Sequence, residues 1–163
     1  MALLEVKNLS IDFNLKRGVL PAVRDLSFSL VEGETFGIVG ESGCGKSVTA
    51  LSLLRLIPPP GEIASGEILF EGEDVLKKSA RAMERIRGRK IAMIFQEPMT
   101  SLNPSLTVGA QIRECYQVHM GHSKKVARDF TEHALALVRL PSPKSLADRY
   151  PHELCGGMRQ RVM

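Results

Sequence analysis

The chain has 163 residues, enough for one domain with a core of its own. Its 44% hydrophobic and 25% charged residues are those of an ordinary globular protein, with no run near 18 apolar residues that would span a membrane. There is no tryptophan and only 5% aromatic residues, which speaks against a nucleic-acid stacking platform; the net charge of +4 is mildly basic. Three cysteines, far apart and odd in number, show neither metal spacing nor a disulfide framework, so a reducing cytoplasm is the expected setting. The N-terminus MALLEVKNLS has an early Glu5 and does not read as a signal peptide.

Leu3 to Phe13 alternates as a strand, with Leu4, Val6, Leu9, Ile11 and Phe13 as apolar points and a phase slip near Asn8. Asn14 to Pro21 reads as a turn, and Ala22 to Val31 returns as an antiparallel partner. After Glu32-Gly33 comes Thr35 to Val39, a short apolar run that predicts a buried strand. Then follows Gly40-Glu41-Ser42-Gly43-Cys44-Gly45-Lys46-Ser47, which fits G-x-x-x-x-G-K-[ST]. Val48 to Leu56 reads as helix. In a strand, turn and helix setting, the glycines let successive backbone N–H groups point inward and the helix start adds positive dipole. Lys46 then supplies a full charge to phosphates and Ser47 a hydroxyl to Mg²⁺. The competing reading is a glycine-rich turn that binds nothing.

Pro58 to Gly61 stops the helix, Glu67 to Phe70 is a short strand, and Ser79 to Arg87 looks helical. The basic run Arg81 to Lys90 reads as a solvated helix face. Ile91 to Phe95 predicts a second strand buried on both faces, and Gln96 to Ser105 a loop. Gln96 either caps a strand end or offers its amide oxygen to Mg²⁺ or a bound water. Helices are predicted over Thr107 to Met120 and over 124–139, the second with Val126, Phe130, Ala134, Leu137 and Val138 on its inner face. Near the end, Gly156-Gly157 opens another helix, a weak second anion-site signal by itself.

GESGCGKS at 40–47, IFQEPMTSLNP at 94–104 and YPHELCGGMRQRVM at 150–163 together resemble the nucleotide-binding subunit of ABC transporters. The second and third are similar to the importers of dipeptides, oligopeptides, nickel and glutathione, with the peptide branch nearest. The resemblance implies an incomplete α/β P-loop NTPase: a β-rich and P-loop part over about 1–98, a helical subdomain over about 99–155, and the start of the signature helix at 156–163. It implies ATP and Mg²⁺ as cofactors, held by Gly40 to Ser47, with Gln96 in the Q-loop as a further metal contact and Leu154, Cys155, Gly156, Gly157 and Met158 as the signature motif. Phe13 matches the aromatic that stacks on adenine, though an aromatic ending such a strand is equally plain core.

The same resemblance implies a peptide importer's energy-coupling component, peripheral on the cytoplasmic face of the inner membrane. Its partners would be a second ATP-binding subunit packed head to tail, two transmembrane permease subunits and an external binding protein, with no nucleic acid. Two departures stand out. Cys155 occupies a position that is usually serine, which removes a donor bond to phosphate worth about 1.5–3 kcal/mol. The acidic pair of the Walker B strand and the switch histidine are not in the sequence, so weak ATP turnover by this chain alone is expected. The strands that flank the P-loop and Q-loop strands in the family are not in it either, so Ile38, Val39, Ile91 and Ile94 are expected to lack cover. Alternatives are a non-catalytic nucleotide-binding remnant, a nickel or glutathione importer subunit, and another P-loop enzyme such as a small kinase, which would have no use for the second glycine-led helix.

Overall fold

The computed structural model describes residues 2–95 and 101–163. The chain divides into two units, Met1–Arg87 and Gly88–Met163.

The first unit is built on β1 (Leu4–Leu15). This strand lies between β2 (Gly18–Leu30) and β3 (Gly61–Phe70), and β4 (Glu73–Asp74) completes an antiparallel sheet in the order β2-β1-β3-β4. Leu4, Val6, Leu9 and Ile11 of β1 are buried, as the alternation predicts. The phase slip near Asn8 is a bulge: pairing with β2 shifts between Val6 and Leu9, and with β3 between Lys7 and Ser10. Asn8 sits at φ 48°, and its side-chain amide donates to the Asp25 carboxylate at 2.6 Å. Gly66 faces the bulge at φ 105°, and a Cβ there would lie 2.6 Å from the Leu9 Cα. Only glycine meets both demands.

Strand boundaries differ from the sequence reading, and Glu73–Asp74, read as part of a turn, is a short strand. β3 runs ten residues rather than four, because the long β1 offers it partners back to Phe13, which pairs with Gly61. The hairpin turn is short, and β2 already begins at Gly18.

Neither predicted inner strand forms. Residues 34–40 have no regular structure, and Ile91 to Phe95 is not a strand. An inner strand needs flanking strands to take its amides and carbonyls, and among the described residues none pairs with Thr35 to Val39. The Phe36 ring stacks on Phe28 at 5.1 Å. Val39 is 92% exposed and Ile94 80%, as the missing cover predicts.

Helix α1 (Lys46–Leu53) starts two residues earlier than predicted and ends sooner. Its buried positions are Thr49 and Ser52, not its leucines. Both hydroxyls are satisfied within the helix, Thr49 Oγ1 donating to the Gly45 carbonyl at 3.0 Å and Ser52 Oγ to that of Thr49 at 2.6 Å. A 3-10 turn (Val75–Lys77) and α2 (Ala80–Glu84) follow β4. Asp74 caps the turn by accepting from the Leu76 amide at 2.9 Å. The basic run is largely solvated, but Arg87 turns inward and donates to the carbonyls of Leu54 and Arg55.

The second unit contains α3 (Val108–Met120), α4 (Lys124–Leu137), α5 (Pro143–Ala147), a 3-10 turn (Pro151–Glu153) and α6 (Gly156–Val162). Thr107 and Ser123 are the N-caps of α3 and α4, each accepting from the amide three residues on. The core is Val108, Leu135, Leu140, Leu146, Ala147 and Leu154, with Ile112, Met158 and Val162 packed against it. The inner face of α4 is Ala127, Thr131 and Leu135, one step round from the predicted stripe. The predicted stripe instead lies outward: Phe130 is exposed and stacks with Tyr116 at 5.3 Å and with His122 at 5.0 Å, and Leu137 is 69% exposed.

Candidate functional site

The loop Gly40 to Ser47 curls over the start of α1, as its glycines predict. Gly45 is the N-cap in the left-handed region, φ 94° and ψ −1°, and its carbonyl already accepts from the Thr49 amide at 2.9 Å. β2 walls the loop from behind. A Cβ on Gly45 would come within 2.6 Å of the Ala22 carbonyl oxygen and 2.9 Å of the Val23 side chain. The motif alone gave no view of Ala22 and Val23; the fixed glycine was their only signal.

Lys46 reaches back across the loop. Its ammonium donates to the carbonyls of Gly40 at 2.8 Å and Glu41 at 2.5 Å, and lies 3.4 Å from Cys44 Sγ. The Cys44 amide donates to the Glu41 carbonyl at 3.3 Å, closing a turn within the loop. Gly40 is packed so near that a Cβ there would meet Cys44 Sγ at 2.6 Å. Glu41, Ser42, Gly43, Cys44 and Ser47 are exposed. The opening turn of α1 contains no acidic residue, and its first amides have no acceptor within the helix. A lysine charge, bare amides and an open face are what a polyphosphate needs. The Ser47 hydroxyl stands free at the helix start, placed to serve a hard cation. The loop therefore fits a nucleotide's phosphates and their Mg²⁺.

The other predicted site residues lie elsewhere. Phe13 is half-buried in β1, its ring so close to Gly61 that a Cβ there would lie 2.7 Å from Cε1. Gln96 lies outside the described residues. In the second unit, Leu154 is buried in the core and Cys155 is the N-cap of α6, its carbonyl accepting from the amides of Met158 and Arg159 at 3.0 Å. The Cys155 thiol makes no cap bond and is exposed. Gly156 and Gly157 are exposed, and a side chain on Gly157 would meet open space. Met158 packs against the core. Among the described residues no group of His, Cys, Asp or Glu could hold a metal, and no helix is long and apolar enough to cross a membrane.

Comparison with known proteins bears on the same stretches. The sequence profile of the family described as ABC transporter matches residues 23–163. The chain belongs to the ABC transporter family. The oligopeptide transport ATP-binding protein OppD of Bacillus subtilis is 50% identical over 162 residues, 99% of this chain and 45% of that protein. The dipeptide transport ATP-binding protein DppD of Haemophilus influenzae is 48% identical over 163 residues, covering 49% of that protein, and DppD of Bacillus subtilis is 49% identical over 161 residues, covering 48%. The chain thus spans about half the length of these curated relatives.

Among solved structures, the dimeric MJ0796, a bacterial ABC transporter cassette, superposes with a TM-score of 0.82 at 24% identity, over 98% of this chain and 66% of that one. The same cassette in a post-hydrolysis state, bound to ADP and Pi, gives the same score. The fold of this ABC transporter chain is therefore that of the ATP-binding cassette, an α/β P-loop NTPase, and ATP is the nucleotide of its family.

Proposed function

We propose that this chain is the ATP-binding part of the energy-coupling component of a peptide importer. The observation that carries it is the loop at 40–47, curled over the start of α1 and spanned by Lys46, whose ammonium donates to the carbonyls of Gly40 and Glu41. Support for the peptide substrate comes from relatives about half identical to it over nearly its whole length, whose names are those of oligopeptide and dipeptide transport ATP-binding proteins.

In this reading the amides at the start of α1 and the Lys46 ammonium bind the phosphate tail. Lys46 exchanges the carbonyls of Gly40 and Glu41 for phosphate oxygens, and the loop opens by that much. Mg²⁺, when bound, would neutralise phosphate charge, with Ser47 as a ligand and Gln96 as a second contact. Phe13 would offer its ring to the adenine. Leu154 to Met158 would face the nucleotide of a second ATP-binding subunit through the amides of Gly156 and Gly157. Two permease subunits and an external binding protein would complete the importer at the cytoplasmic face of the membrane. ATP hydrolysis would drive uptake.

A second reading, favoured by Cys155, is a module that binds nucleotide without turning it over: the thiol makes no cap bond and is a poor donor. Calorimetric titration with ATP and Mg²⁺ tests both. Saturable binding is expected, weakened about 10- to 100-fold by Lys46→Ala, as loss of one charge-assisted contact requires. An affinity unmoved by that change removes the proposal. Binding without phosphate release, in an assembly containing the permease subunits, selects the second reading.

A further inference from the structure

The face formed by Ser142, Ser145, Leu146 and Arg149 plays no part in the nucleotide site. Ser142 caps α5, Ser145 and Leu146 lie within it, and Arg149 follows just past its end. With Pro141 and with Met158 of α6 they line a concavity of about 110 Å³. That is far below the roughly 300–1,000 Å³ of organic-ligand pockets, and it suits a small ion.

The lining is chemically one-sided. The Arg149 guanidinium and the hydroxyls of Ser142 and Ser145 have no hydrogen-bond or ion-pair partner among the described residues. Residues 139–161 carry five Lys and Arg against two carboxylates, Asp148 and Glu153. The Glu153 carboxylate is already engaged, accepting from the Tyr150 amide at 2.6 Å. Arg161 donates to the Arg139 carbonyl at 2.9 Å and Arg159 to that of Leu154 at 2.9 Å. A guanidinium fork and two hydroxyls lining one concavity are donors that suit a tetrahedral oxyanion.

We propose that this concavity binds a small oxyanion of the phosphate class, with Arg149 as the charged donor and Ser142 and Ser145 as hydroxyl donors. An anion there would brace α5 against Met158, and so steady the helix that begins after Cys155. The test is isothermal titration of inorganic phosphate into the chain carrying Lys46→Ala, which silences the lysine of the loop at 40–47. Ionic strength is held constant with chloride. A saturable heat is expected, with affinity falling about tenfold or more on adding Arg149→Ala or Ser145→Ala. Arg149→Lys should lose less than Arg149→Ala, since it keeps the charge and forfeits only the fork. No saturable heat from the Lys46→Ala chain, or a heat unchanged by Ser145→Ala and by both Arg149 variants, overturns the proposal.

Discussion

At the scale of single residues, Gly45 carries two constraints that no side chain can meet together. Its φ of 94° lies in the left-handed region, and the Ala22 carbonyl stands where a Cβ would go. Gly45→Ala is therefore expected to destabilise the first unit by about 1–3 kcal/mol, read as a lowered midpoint in urea. ATP affinity should fall with it, because the loop amides would be re-aimed. The loop was legible in the sequence because its chemistry is local: spacing and residue type define it without reference to a neighbour. Phe13 was not legible in the same way. An aromatic at a strand end has one sequence signature and two uses, and its contact with Gly61 joins residues 48 apart.

At the scale of elements, two predictions separate what periodicity sees from what packing decides. On α4, Leu135 is 1% exposed and Leu137 69%, although the sequence pattern favoured Leu137 as the inner residue. Leu135→Ala should cost about 2–5 kcal/mol and Leu137→Ala less than about 0.5 kcal/mol, compared by denaturant melts. The misreading has a physical cause. An apolar ladder at 126, 130 and 137 looks like a core stripe, but Phe130 serves a surface ring cluster with Tyr116 and His122, and the small residues Ala127 and Thr131 allow close helix approach. The second prediction concerns Asp74. Burial opposes its charge, but Lys77 at 3.0 Å and the amides of Leu76 and Ile68 outweigh that and hold its carboxyl below the usual carboxylate range. A lowered value in the folded state means stability present above the unfolded value of about 3.9 and lost as pH falls through the folded one. Asp74→Ala should cost about 0.5–2 kcal/mol at neutral pH as a lost cap. The gap between variant and parent should close below about pH 4, followed by urea melts across pH.

At the scale of the whole chain, the β1–β2 pair was readable down to the bulge at Asn8, whereas the pairing of β3 with β1 was not, and the two inner strands were predicted and do not form. A run such as Thr35 to Val39 announces apolar character, not the neighbours that would pair with it. In this chain Val39→Lys is expected to change stability by less than about 0.5 kcal/mol, because a residue 92% exposed has almost nothing to lose. A loss of 2 kcal/mol or more in a chemical melt would mean the segment is covered in solution. The same segment has a further consequence. Residues 32–44 leave peptide groups without cross-strand partners beside wet apolar side chains, which is the make-up of a template for any extended polypeptide that drifts past. Crowding two such chains together invites them to zip along this rim, so self-association should rise with concentration.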